Sequence, residues 1–207
     1  MSTTPDWLIW ARAIPALSQT GLAFTDNPFD RGRYEKLAAM AVEIFAAHTC
    51  ESPAALEEWF AVQPGYATPK VDVRGCCFRD GQVLMVRERS DGRWCLPGGW
   101  ADVGDAPAAA VEREIAEESG YQARAVKLLA LYDRNKHGHP PRPDHVYKLF
   151  FLCELLGGAP AATMETDEVG FFGEHDLPEL STERIVPAQI ARMFEHHRHP
   201  EWPADFD

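Results

Sequence analysis

The sequence predicts an α/β protein in which helices cover a mixed sheet, preceded by a small helical module. Two observations carry this prediction. The N-terminal part has apolar residues at helical spacing, whereas from Lys70 onward strand-like runs are interleaved with helical segments. We therefore expect a helical module over residues 1–66 and an α/β domain over residues 67–207.

The N-terminal module is predicted to contain three helices. Trp7–Leu17 has apolar residues at nearly helical spacing, and a second helix follows the Asn27-Pro28 turn, from about Asp30 to His48. Ser52-Pro53 offers an N-cap and a first-turn proline for a third, short helix. Three short helices bury only a thin core, so we expect the module to pack on another domain or to form a homodimer.

Turn residues and alternating apolar residues define the elements of the second domain. Asp80-Gly81 separates two apolar runs in the manner of a hairpin, and a glycine- and proline-rich turn, Leu96–Gly99, precedes a helix over Ala106–Ser119. The other predicted elements are strands at Val71–Phe78, Gln82–Val86, Ala123–Tyr132, Val146–Leu155 and Val169–Phe172, and a helix at Val186–His196. Interleaved strands and helices favour a mixed sheet covered by helices.

Composition excludes several classes of protein. The formal net charge of −12 disfavours binding to nucleic acids and to anionic membranes. No apolar run is long enough to span a bilayer, and the N-terminus lacks the pattern of a secretory signal. The five cysteines have no metal-ligand spacing, which favours reduced thiols. Together these features predict a cytoplasmic protein.

A cluster of carboxylates is the most informative feature of the chain. Six acidic residues lie between Asp102 and Glu118, and Arg113 is the one basic residue among them. On a helix, Glu114, Glu117 and Glu118 share an arc of about 100°. Such like charges repel in a solvated helix, whereas a hard divalent cation removes the repulsion. The pattern therefore predicts a site for Mg²⁺ or Mn²⁺.

The spacing of these residues resembles the Nudix box, G-x5-E-x7-R-E-U-x-E-E-x-G-U with U aliphatic. The matching run is Gly99-x5-Asp105-x7-Arg113-Glu114-Ile115-x-Glu117-Glu118-x-Gly120-Tyr121. Two positions depart from the consensus: Asp105 replaces the first glutamate, and Tyr121 replaces the last aliphatic residue.

The resemblance implies a Nudix-type α/β/α sandwich and roles for the residues of the box. In that family the glutamates at the positions of Glu114, Glu117 and Glu118, together with the carbonyl of Gly99, would hold the metal ions. Arg113 would orient the carboxylates by charge-assisted hydrogen bonds. The first glutamate of the box is mainly a supporting residue, so the shorter Asp105 is compatible with activity.

Motifs outside the box resemble one branch of the family. They lie at residues 69–74, 96–104 and 145–151, and the helical N-terminal module is shared as well. That branch includes CDP-choline pyrophosphatases that also accept ADP-ribose. The resemblance implies hydrolysis of a nucleoside diphosphate derivative, for example CDP-choline to CMP and phosphocholine. The alternatives are a house-cleaning pyrophosphatase for nucleoside triphosphates and a non-catalytic protein that senses nucleotides.

Further residues are candidates for substrate binding. Arg74 and Arg87 lie on predicted strands near the glycine turn, where they bind a substrate phosphate or neutralise the acidic cluster. Trp100 stacks on a base or caps the core, and the core is favoured over the base.

Two polar segments complete the set of candidates. Arg134, Lys136 and His137 lie in a long loop between strands, where they contact a substrate phosphate or remain solvated. Glu165 and Glu168 precede the predicted strand Val169–Phe172. Nudix enzymes often use a carboxylate from a loop at such a place as a base or an extra metal ligand. The resemblance favours this role for Glu165, whereas Glu168 is favoured as part of an exposed charged turn.

Overall fold

The chain folds into two compact units. The computed structural model describes residues 5–61 and 65–207. One unit consists of Met1–Pro69 together with Pro141–His145, and the other consists of Lys70–Pro140 and Val146–Asp207. None of the helices in the described ranges has the length and apolar character that a membrane span requires.

The first unit contains the three predicted helices. They are α1 (Asp6–Phe24), α2 (Pro28–His48) and α3 (Pro53–Ala61). As predicted, the Ser52 hydroxyl caps α3, because it accepts a backbone N–H of the following turn. The carboxamide oxygen of Asn27 caps α2 in the same way. Helix α1 continues past the predicted end at Leu17. The core of this unit consists of Leu8, Ala11, Val42, Phe45 and Leu56.

A short segment from the second half of the chain belongs to this helical unit. The Arg142 carbonyl accepts a hydrogen bond of 2.8 Å from Nε of Arg12. The guanidinium of Arg142 lies 5.3 Å from the ring centroid of Trp59. Sequence patterns alone do not indicate this association, since Pro141–His145 lies between two strands of the other unit.

The second unit is built on a mixed sheet, which confirms the predicted fold class. Its elements are β1 (Lys70–Arg79), β2 (Gln82–Glu88), β3 (Trp94–Cys95), α4 (Pro107–Ser119), β4 (Tyr121–Asp133), β5 (Val146–Gly158), β6 (Thr166–Phe172), α5 (Pro187–Arg198) and β7 (Asp205–Phe206). The strand order is β3-β2-β1-β5-β4-β7, and β6 pairs with β2. Strands β1 and β5 are parallel, as are β4 and β7, and the remaining pairs are antiparallel.

The two α-helices of this unit cover opposite faces of the sheet. Val111 and Ile115 of α4 pack in the same buried cluster as Val73 of β1, whereas Ile190 and Met193 of α5 pack in a separate cluster. At the α4 face a β-carbon on Gly75 would lie 2.5 Å from Cδ1 of Ile115, so the helix approaches β1 closely. This packing fixes α4 above the sheet.

The ends of α4 are also fixed. The helix stops at Gly120, which adopts φ 76°, a left-handed conformation that favours glycine. Tyr121, which departs from the box consensus, is buried with its ring 5.8 Å from that of Phe171. An aromatic ring thus serves the packing role of an aliphatic residue. Glu112 accepts the backbone N–H of Ala125 at 2.8 Å and ties the helix to β4.

Candidate active site

The glycine turn runs alongside β1 as an additional extended segment. The Gly99 carbonyl accepts the N–H of Val73 at 2.8 Å, and the Pro97 carbonyl accepts that of Gly75 at 2.8 Å. Gly98 has φ 138°, and a β-carbon there would lie 2.0 Å from the Val73 carbonyl oxygen. Only glycine fits this position, so the turn is held against the strand by backbone contacts that a side chain would break.

Two carboxylates of α4 reach this turn. The N–H of Gly98 donates a 2.8 Å hydrogen bond to Oε2 of Glu118, whose residue is 4% exposed. A β-carbon on Gly99 would lie 2.9 Å from Oε2 of Glu114, so that carboxylate lies directly beside the glycine. The turn and the helix therefore meet where the sequence predicts.

Arg113 links four carboxylates. Its Nη1 donates to Oε1 of Glu114 at 2.9 Å and to Oε2 of Glu117 at 2.8 Å. The contacts to Asp105 and Asp102 are longer, at 3.4 and 3.3 Å. The arginine is thus hydrogen-bonded to both glutamates, whereas Asp105 makes only a long contact with it.

Burial makes the two inner carboxylates unusually weak acids. Desolvation raises the pKa of Glu118 to about 8, although Arg74 and the Gly98 N–H oppose the shift. Desolvation also raises the pKa of Glu114, and Arg113 opposes that shift. Such shifts are common where carboxylates await a cation or a proton.

The atoms that could bind a metal here, on Glu114, Glu117, Glu118 and the Gly99 carbonyl, suit a hard divalent cation. All of them are oxygens, and the Gly99 carbonyl retains a second lone pair beyond the hydrogen bond from Val73. Across residues 5–61 and 65–207, however, no three acidic, histidine or cysteine side chains already converge on one point. Glu117 is hydrogen-bonded to Arg113, and Glu118 is hydrogen-bonded to the N–H of Gly98.

Comparison with known proteins decides the family. A family model described as the NUDIX domain matches residues 69–194. The chain belongs to the Nudix family of hydrolases. A second family model, described as a UDP-X-like N-terminal oligomerisation domain, matches residues 5–60. The resemblance predicted from the box is therefore confirmed.

Several Nudix relatives resemble most of the chain. A Bacillus subtilis protein, YjhB, with the provisional name ADP-ribose pyrophosphatase, is 42% identical over 97% of both chains. A crystal structure of a Streptococcus suis ADP-ribose pyrophosphatase has a TM-score of 0.62 and 39% identity, covering 68% of this chain and 100% of that one. A UDP-X diphosphatase structure covers 100% of both chains, with a TM-score of 0.64 and 32% identity.

Two arginines predicted to bind substrate are buried instead. Arg74 is 4% exposed and donates to Asp72 at 2.9 and 2.8 Å and to the Leu96 carbonyl at 3.0 Å. Arg134 is 2% exposed and donates to the carboxylate of Glu183 at 2.8 Å and to the Pro140 carbonyl at 2.7 Å. Because their guanidinium groups are used inside the protein, we assign both to internal support in place of substrate contact.

The other charged candidates lie closer to the surface. Arg87 forms ion pairs with Asp167 and Glu168 at 2.7 Å each, so it neutralises carboxylates of β6 rather than those of α4. His137 lies 3.1 Å from Asp207, and Lys136 is exposed. None of these contacts brings Arg87, Lys136 or His137 to the glycine turn, and their substrate roles stay predictions.

Trp100 is not part of the core, and the preference for a core position is therefore wrong. The residue is 42% exposed, and its backbone pairs with that of Asp72 in an isolated antiparallel bridge. Lys70 lies 5.4 Å from the centroid of its ring. An exposed indole immediately after Gly99 leaves the alternative, stacking on a base, as the remaining prediction.

The loop that contains Glu165 reaches the end of α4. Oγ1 of Thr166 donates a 2.6 Å hydrogen bond to the Glu118 carbonyl, and Glu165 itself is exposed. The structure therefore brings Glu165 within one residue of a contact to the helix that carries the carboxylates.

Sequence reasoning missed three buried charged residues around the site. Asp72 and Lys148 form an ion pair of 2.7 Å under the glycine turn. Glu88 accepts a hydrogen bond from Cys95 at 3.2 Å and pairs with Arg184 at 3.0 Å. The signal was available, since Asp72 and Lys148 are charged residues within runs that otherwise have the apolar character of buried strands.

Proposed function

We propose that this protein hydrolyses the pyrophosphate bond of nucleoside diphosphate derivatives with Mg²⁺ or Mn²⁺, and that ADP-ribose is a substrate. The observation that supports it most directly is the meeting of Glu114 and Glu118 with the Gly98-Gly99 turn. A set of oxygen ligands beside the glycine turn suits a divalent cation that would also bind the diphosphate of a substrate.

Each residue of the box has a defined task in this proposal. Glu114, Glu117, Glu118 and the Gly99 carbonyl would hold the metal ions, which would screen the diphosphate charge and acidify a water molecule. Arg113 holds Glu114 and Glu117 in one orientation, and the Gly98 N–H fixes Glu118.

Glu165 is proposed as the general base. Its loop is tied to α4 through Thr166, and its exposed carboxylate is accessible to water. The base takes a proton from the water, whose oxygen bonds to one phosphorus while the bridging P–O bond breaks. The second phosphate leaves as a monoester, so ADP-ribose gives AMP and ribose 5-phosphate.

The choice of ADP-ribose rests on relatives rather than on the pocket. The Bacillus subtilis and Streptococcus suis proteins bear that substrate in their names, and a Methanocaldococcus jannaschii ADP-ribose pyrophosphatase is 32% identical over 122 residues. A UDP-linked substrate follows from the similarity to the UDP-X diphosphatase. CDP-choline stays a prediction from the outer sequence motifs.

A substrate panel tests the proposal. Purified protein is incubated with ADP-ribose, UDP-glucose, CDP-choline and nucleoside triphosphates, with Mg²⁺ or with a chelator, and products are identified by chromatography. We expect nucleoside monophosphate from ADP-ribose with Mg²⁺ only, and none from a folded Glu118→Gln variant.

Other outcomes of the panel separate the alternatives. Release of pyrophosphate from triphosphates alone would indicate a house-cleaning enzyme. Binding of nucleotides without turnover of any compound would indicate a sensor and would overturn the proposed activity.

We propose further that the helical unit forms a homodimer through α1. Trp10, Leu17 and Phe24 recur every seven residues, so they share one helix face, and they are 59%, 67% and 74% exposed. The same residues lie within the match to the oligomerisation domain. An apolar face repeated on two copies suits a self-complementary interface.

Light scattering of a charged variant tests this interface. Leu17→Glu is expected to shift the dimer towards monomer, whereas Leu156→Glu, at a leucine 62% exposed on β5, leaves the mass unchanged. A wild-type monomer at micromolar concentration would contradict the proposal.

A further inference from the structure

Three charged side chains are buried together beneath the glycine turn. Asp72, Arg74 and Lys148 are 6%, 4% and 1% exposed. Asp72 accepts hydrogen bonds from both cations, with Lys148 Nζ at 2.7 Å and the two guanidinium contacts at 2.9 and 2.8 Å. Burial of this many charges is costly unless each is paired, as these are.

The sheet itself builds this cluster. Asp72 and Lys148 are direct neighbours in the parallel register of β1 and β5. Arg74 follows Asp72 by two residues, so both side chains lie on the same face of β1. The positions of all three groups are therefore set by strand pairing rather than by flexible loops.

Arg74 connects the cluster to the candidate active site. Its Nη1 donates to the Leu96 carbonyl at 3.0 Å, two residues before Gly98 in the chain. Gly98 in turn donates to Glu118. A continuous path thus runs by hydrogen bonds from Lys148 through Asp72 and Arg74 to Leu96. It continues along the backbone to Gly98 and ends at the carboxylate of Glu118.

Lys148 and Arg74 are the two cations that bind Asp72. Without Lys148, Asp72 would lose one of these two partners, and Arg74 would lose the residue that fixes its carboxylate from the neighbouring strand.

We propose that Lys148 is a positioning residue for the metal-binding turn. It fixes Asp72, which orients Arg74, and Arg74 holds the Leu96 carbonyl so that Gly98 and Gly99 meet the glutamates of α4. This role rests on the metal site in the proposed function.

Two other roles for Lys148 fit the structure less well. Direct contact with substrate conflicts with an exposure of 1%. A purely structural role gives no reason for a charged residue, because apolar side chains of similar volume often replace buried ion pairs without loss of stability. A positioning role explains why the charge is kept beneath the turn.

Titration with Mn²⁺, followed by electron paramagnetic resonance, tests the proposal without relying on turnover. Lys148→Met removes the ammonium group but keeps much of the side-chain length. We expect it to bind Mn²⁺ about tenfold more weakly, as is typical when residues that support metal ligands are changed. Lys148→Arg, which can still donate to Asp72, is expected to stay within about threefold of wild type.

A matched control separates this effect from general loss of a lysine. Lys127→Met on β4 removes hydrogen bonds to the carbonyls of Pro200 and Trp202, which lie on a different segment. We expect its Mn²⁺ affinity to equal that of wild type. At saturating metal, Lys148→Met should lower kcat for ADP-ribose while KM changes by less than about twofold.

The possible results are distinguishable. Equal Mn²⁺ affinity of folded Lys148→Met and wild type would overturn the positioning role and leave the proposed function intact, as would a KM rise without a metal effect. Absence of Mn²⁺ binding by wild type would overturn the metal site and this inference together. If Lys148→Met does not fold, Lys148→Gln replaces it, with the same outcomes deciding.

Discussion

The backbone N–H of Gly98 donates a 2.8 Å hydrogen bond to the buried carboxylate of Glu118, which is twenty residues further along the chain. This contact joins the glycine turn to α4. It also leaves the carboxylate with a partner in a region that otherwise disfavours its charge, since burial raises the pKa of Glu118 to about 8.

Glu118→Gln should make the metal-free protein more stable at pH 8. In the presence of Mg²⁺, the same substitution should lower the activity at least about a hundredfold. The pKa of Glu118 is higher in the folded protein than its ordinary value of 4.5, so the folded state binds more protons between these values. Deprotonation of Glu118 therefore lowers the free energy of unfolding of the wild-type protein as the pH rises from about 4.5 to about 8. Glutamine lacks this titration and can still accept the Gly98 hydrogen bond.

Thermal unfolding in chelator at pH 5 and pH 8 measures this difference. The advantage of Glu118→Gln should be larger at pH 8. Glu117→Gln is the matched control, because the Glu117 side chain is 59% exposed and should show no comparable gain. A Glu118→Gln protein less stable than wild type at pH 8 would contradict the prediction.

Gly98→Ala should destabilise the second unit by about 2 kcal/mol or more, because the new methyl group would collide with the Val73 carbonyl at a positive φ. Urea unfolding of the metal-free protein measures the change. Gly157→Ala, where a β-carbon meets nothing within 4 Å, should change stability far less. Equal effects of the two substitutions would refute the role assigned to the close backbone approach.

Asp105→Glu should raise kcat/KM modestly, by about twofold to fivefold, equivalent to strengthening one exposed ion pair by less than about 1 kcal/mol. The present contact from Arg113 to Asp105 is long, at 3.4 Å, and one more methylene group would let the carboxylate approach. Steady-state kinetics at saturating Mg²⁺ measures the gain. Asp26→Glu, at an exposed aspartate of the helical unit, is the control and should have no effect.

Trp100→Ala should raise KM for ADP-ribose by about fivefold or more with little change in kcat, since stacking on a base contributes about 1–3 kcal/mol. The indole is 42% exposed and follows Gly99 directly. Trp100→Phe should retain part of the affinity. Val103→Ala, at a fully exposed residue of the same loop, serves as the control, and an unchanged KM in Trp100→Ala would exclude stacking.

The sequence predicted the elements with strong periodicity and missed those without it. Helix α4 was placed to within one residue, because its apolar spacing and glycine stop are both explicit. Strands β3 and β7 have two residues each, too few for alternation to show. The association of Pro141–His145 with the helical unit depends on tertiary contacts such as that of Arg142 with Trp59.

The candidate site divides in the same way. The placement of Glu114 and Glu118 beside the glycine turn follows from their spacing along one helix, so the sequence contains it. The burial of Arg74 and the exposure of Trp100 depend on which face of a strand or turn each side chain occupies. That face is set by the pairing of Asp72 with Trp100 and of β1 with β5, which a single sequence does not reveal.

The parallel pairing of β1 with β5 has a consequence for how the chain is synthesised. Asp72 and Lys148 are separated by 76 residues, so the ribosome produces the glycine turn and all of α4 before β5, the parallel partner of β1, exists. Contacts between such distant residues form slowly during folding. A nascent chain interrupted before Val146 would contain every glutamate of the box and still lack the strand that completes their support.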